Sequence, residues 1–119
     1  MDHVLNMLEP SHVTIGGKTI PLLFNMRAAA SMEMELDTPY PEIIAEIVGG
    51  ESGDGEKLKP IPWSRQAVII ACMIRAGGME ITADQLMDCI HMNEAQTLAN
   101  AAIAEMIRKQ PKGKESKNG

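Results

Sequence analysis

Four consecutive residues, Gly16-Gly17-Lys18-Thr19, have the types of a phosphate cradle. Glycines bring backbone N–H groups close to an anion, a lysine reaches its charge, and a hydroxyl serves a magnesium ion. The spacing argues against that chemistry. Gly-x-x-x-x-Gly-Lys needs a glycine at position 12, where His12 stands, and a helix after the threonine, where Ile20-Pro21-Leu22 follows. A second use of two glycines fits better. A primed two-residue turn needs positive φ, which glycine adopts without steric cost. Alternating residues on each side then pair Ile15 with Lys18 and Val13 with Ile20, with Val13, Ile15, Ile20 and Leu22 on one face. Pro21 cannot donate a ladder hydrogen bond, so its strand is expected to be an edge there.

The other reactive types do not assemble into a site. His3, His12 and His91 fall on a terminus, a hairpin and a helix end. Cys72, Cys89 and His91 do not match a zinc spacing, and residues two apart on a helix point away from each other. Asp84 with Asp88, and Glu42 with Glu46, are carboxylates one helical turn apart, an arrangement that a solvated face explains. No catalytic residue, metal ligand or cofactor is expected, and the chain does not read as an enzyme.

The elements that would carry these residues are mostly helical. The predicted fold is mostly α in an α+β arrangement: an N-terminal β-hairpin over residues 12–24, then about five helices over residues 25–108. Asn25 reads as an N-cap for a helix ending near Leu36. On that helix Ala28, Ala29, Met32 and Leu36 form one apolar stripe, and Met26, Ala30 and Met34 form a second on another side. Pro41 suits the first position of a short helix that Gly49-Gly50 ends. Residues 49–60 read as a flexible loop rich in glycine and charge. Pro62 opens a helix that is apolar nearly all round and is expected at the centre. Thr82 with Gln85, and Asn93 with Gln96, have capping-box spacing, which starts helices near residues 83–91 and 94–109. In the last of these, Ala95, Leu98, Ala99, Ala102, Ile103 and Met106 share one side.

Composition sets the class. A chain of 119 residues is about one domain, assigned here to residues 1–108. No apolar run approaches the ~18 residues of a membrane span. The acidic start and the absence of a basic segment before an apolar one give no sign of a secretory leader. Two lone thiols suit a reducing compartment. Ten methionines against three aromatics, Phe24, Tyr40 and Trp63, give the chain adaptable apolar surface. The net charge is −5, yet residues 108–119 carry +4, so the remainder carries −9. An acidic body with a Lys/Gly/Pro/Ser-rich end reads as a folded domain with a disordered basic tail over residues 109–119. Nucleic acid is not an expected partner, because no base precedes Arg108 in the last helix.

The order of these features resembles the tail assembly chaperones of long-tailed bacteriophages and prophages. The resemblance lies in residues 13–36: Ile15, Gly16, Gly17, Lys18, Ile20, Pro21, Leu22 and Phe24, then Arg27, Ala28 and Glu33 or Glu35. Over residues 61–108 it is a likeness of helix pattern and length. Met-rich helices in place of Leu-rich ones are a departure that conserves volume. The resemblance implies a non-enzymatic protein of the host cytoplasm that is not part of the mature virion. Such chaperones hold the tape measure protein and bring it to tail tube subunits, and many also exist in a longer, frameshifted form. A structural tail or head-completion protein and a small helix-turn-helix regulator are the alternatives. The surfaces expected to meet partners, or further copies of the chain in a homo-oligomer, are the strand edge with Leu23 and Phe24, the stripe of Met26, Ala30 and Met34, and the end of the last helix with Ile103, Met106 and Ile107.

Overall fold

A computed structural model describes residues 8–48 and 61–108. The expected loop 49–60 and tail 109–119 lie outside the described residues. Two strands, β1 (Ser11–Ile15) and β2 (Lys18–Leu22), precede five helices: α1 (Met26–Leu36), α2 (Tyr40–Val48), α3 (Trp63–Ala76), α4 (Ala83–Cys89) and α5 (Met92–Arg108). The hairpin is antiparallel with Ile15 opposite Lys18 and Val13 opposite Ile20. Gly16 and Gly17 both have positive φ, 59° and 83°, as a primed turn demands. Ile15, Ile20 and Leu22 are buried and Val13 packs against them, so the apolar face is the one that alternation dictates. The Gly-Gly pair is therefore a turn between strands and does not lead into a helix.

The central helix is α3. Seven of its residues, Ala67 and Ile69–Ile74, are buried. Helices α1, α4 and α5 pack on it, the end of β2 meets its C-terminus, and α2 packs on α1 and is tied to α3 through Glu46 and Arg65. That last junction is tight. The Leu23 N–H donates to the Met73 carbonyl (3.1 Å). A Cβ placed on Gly77 would lie 2.9 Å from Pro21 Cβ, so a glycine is needed where the strand crosses the helix end. Gly78, at φ 110°, lets the chain turn away while Met79 N–H closes onto the Ile74 carbonyl (3.2 Å).

Local signals set most helix starts. Asn25 Oδ1 accepts from the Ala28 N–H (3.0 Å), as an N-cap should. Thr82 and Gln85 form a reciprocal capping box. Two boundaries differ from expectation. Tyr40 takes the first position of α2, its N–H donating to Glu33 Oε2 (2.6 Å), and Pro41 sits one place further in. The last helix begins at Met92, with Glu94 and Ala95 N–H groups both donating to the His91 carbonyl. The Glu94 carboxylate reaches back to the His91 N–H (3.4 Å). His91 and Glu94 thus do the capping expected of Asn93 and Gln96, and Asn93 lies inside the first turn. A carboxylate at this position also faces the positive end of the helix dipole.

Candidate protein-contact surface

The two sides of α1 differ. Ala28 and Met32 are fully buried against the core. Met26 and Met34 are 85% and 82% exposed, and Ala30 between them is exposed too. The three are spaced four residues apart, so they form a line of about 12 Å along the helix. Flexible thioethers of this kind can repack against partners of differing shape. Arg27 is exposed beside Met26.

The other expected contact residues divide. Ile103 and Ile107 are exposed, one turn apart on the outer side of α5. Leu23 and Met106 are not surface residues: they are 6% and 1% exposed. Leu23 is held down by its own backbone bond to Met73 at the end of α3. Met106 continues the inward face of Leu98, Ala99 and Ala102. Phe24 is half-buried, with its ring 5.7 Å from that of Tyr40 at the start of α2. Of the residues expected at partner contacts, the α1 stripe and the Ile103–Ile107 pair are exposed, whereas Leu23 and Met106 belong to the core.

Two further features carry no sequence signal that spacing alone would reveal. The first is Glu105, whose residue is only 2% exposed. Its carboxylate accepts from Ser11 Oγ (2.5 Å), from the Phe24 N–H (3.3 Å) and from Arg108 (3.3 Å). A buried carboxylate is tolerated where donors replace water, and here they come from both chain segments at the open end of the hairpin and from the next turn of α5. The second is an open apolar groove of about 100 Å³ where α3, α4 and α5 meet. Trp63, Met87 and Met92 stand half-exposed or more around it, over a floor that includes Ala67, Ile70, Leu86 and Leu98.

The carboxylate pairs resolve differently. Glu46 forms a two-pronged bond with Arg65 (3.1 and 3.2 Å), tying α2 to α3. Glu35 pairs with Arg75, whose other nitrogen donates to the Ile81 carbonyl (2.9 Å). Asp84 and Asp88 are exposed on α4. Cys72 is buried beside Glu35 and Arg75, whereas Cys89 is exposed. Burial pushes the Cys72 thiol from 9.0 up to about 12, with Glu35 adding to the rise and Arg75 opposing it. A thiol held protonated in this way is a poor nucleophile and a poor metal ligand. Among the described residues, no three histidines, cysteines or acids converge on a metal position. No helix among them is long and apolar enough to cross a membrane. Comparison with protein-family models, curated proteins and solved structures finds no match to this chain.

Proposed function

We propose that this protein is a tail assembly chaperone of the long-tailed phage type, a non-enzymatic holder of the tape measure protein that helps recruit tail tube subunits. The observation that carries the reading is the bare Met26–Ala30–Met34 stripe on the helix that follows the hairpin directly. A helix that buries one apolar stripe and leaves a second uncovered offers a ready surface for an amphipathic partner. Methionines suit a client whose many helical segments differ in sequence, since one surface must accept them all. The sequence resemblance over residues 13–36 supplies the identity of that client.

Co-expression with the tape measure protein encoded nearby tests it. The wild-type chain should keep that protein in the soluble fraction and co-purify with it. Met26→Asp combined with Met34→Asp should fold with an unchanged melting temperature and lose the client. A wild-type chain that leaves the tape measure protein insoluble and binds no tail tube subunit would overturn the reading. A double mutant that folds and still holds the client would move the site away from α1.

A further inference from the structure

The groove between α3, α4 and α5 lies on different elements from the α1 stripe. We propose that it receives a basic amphipathic helix, one that seats a single bulky aliphatic side chain in the groove and sets lysines or arginines against α4. The pocket, about 100 Å³, is smaller than the ~150 Å³ apolar cavity that accommodates benzene. It has the scale of one aliphatic side chain. Its rim is adaptable, since Trp63, Met87 and Met92 are all exposed enough to close over an anchor.

Charge selects the partner. On α4, which lines the groove through Leu86 and Met87, Asp84 and Asp88 stand one helical turn apart, both exposed, and among the described residues neither makes an ion pair. The bases on the three lining helices are already engaged: Arg65 with Glu46, Arg75 with Glu35 and Arg108 with Glu105. Asp84 has a local role, because an acid in the first turn meets the positive end of the helix dipole. Asp88 has the opposite placement. It sits in the last turn of α4, where an acid opposes the dipole and no base offsets it. An acid that its own helix disfavours, on the same short helix whose Leu86 and Met87 line the apolar groove, is matched by a positively charged partner.

The test uses the protein alone, so its result is independent of whether a tape measure protein is held. Trp63 is the single tryptophan and lies at the groove, so its emission reports occupancy directly. The probe is a leucine–lysine amphipathic peptide of about 18 residues, long enough to be helical, and the control is its leucine–glutamate counterpart. The lysine peptide should shift Trp63 emission to the blue and saturate, and binding should weaken with added salt. Asp84→Asn with Asp88→Asn should weaken it about three- to tenfold, the scale of two exposed pairs. Met92→Asp, at an exposed rim position, should abolish it without lowering the melting temperature. Equal binding of both peptides, or none, overturns the proposal. A Trp63 shift that grows with protein concentration in the absence of peptide also overturns it, because a second copy would then be the occupant.

Discussion

At the scale of single residues, two positions have consequences that a melting experiment can read. Gly77 lies where β2 crosses the end of α3, and a Cβ there would stand 2.9 Å from Pro21 Cβ and 3.3 Å from the Pro21 carbonyl carbon. Proline is rigid and the strand is pinned by the Leu23–Met73 bond, so neither side can yield freely. Gly77→Ala should destabilise the fold by about 1–3 kcal/mol, the usual range for overpacking, and a variant as stable as wild type would mean that the strand can move off the helix end at little cost. Cys72 has a pH signature. Its folded-state pKa is raised, so folding favours the protonated thiol. Its contribution is fully present below about pH 9, and is lost as pH rises from there towards about 12. The loss approaches ~1.4 kcal/mol per pH unit for one proton. Cys72→Ala should remove that part of the alkaline slope in urea titrations run at successive pH values. In the native protein a thiol reagent should label Cys89 promptly, and Cys72 only on unfolding, since one is exposed and the other buried.

At the scale of elements, the two sides of a helix separate core from exposed surface. Met106 and Met26 are the same residue type on amphipathic helices, yet one is 1% exposed and the other 85%. Met106→Ala should cost about 2–5 kcal/mol through the cavity it leaves, whereas Met26→Ala should change the melting temperature by little. Comparing the two melting temperatures checks the assignment of faces on α1 and α5. This contrast also marks how far sequence reasoning reached. The hairpin, its register and the Asn25 and Thr82 caps were legible because each depends on residues within a few positions of one another. The Met26–Ala30–Met34 stripe was legible because it is the second apolar side of a helix whose first side must face the core. Leu23 and Met106 were misplaced because their burial depends on where the end of α3 and the inner face of α5 lie, which spacing does not specify. The start of α5 lies two residues before the one that Asn93-x-x-Gln96 predicts, because that spacing overlaps His91-x-x-Glu94 and the residues before them decide which is used. The groove was invisible for the same reason as the misplaced core residues: its wall is shared among three helices.

At the scale of the whole molecule, the hairpin is joined to the far end of the chain through Glu105. Ser11 and Phe24, which bracket the two strands, both donate to this one carboxylate, and Arg108 donates to it and to the Ser11 hydroxyl. Residues 94 positions apart in sequence thus share a buried polar joint, while the opposite end of the hairpin turn lies against Glu94 at the other end of α5. The hairpin is too short to be stable alone. It persists because its apolar face covers the core and because this joint fixes it along the length of α5. A buried network of this kind is most costly when half removed, since each donor left without a partner carries its full desolvation penalty. Glu105→Leu would leave the Phe24 N–H and the Ser11 hydroxyl facing an apolar side chain, and should cost about 2–4 kcal/mol, counting roughly 1–2 for each. Glu105→Gln keeps one carbonyl acceptor and should cost less. Urea unfolding followed by far-ultraviolet circular dichroism and by Trp63 fluorescence separates two outcomes. If the hairpin is integral to the cooperative unit, both signals shift together to lower urea in Glu105→Leu, although Trp63 sits at the other site, among α3, α4 and α5. If the joint serves the hairpin alone, the Trp63 transition stays where it is in the wild type. A Glu105→Leu variant as stable as the wild type by both signals would show that burial of the hairpin's apolar face holds it without the carboxylate.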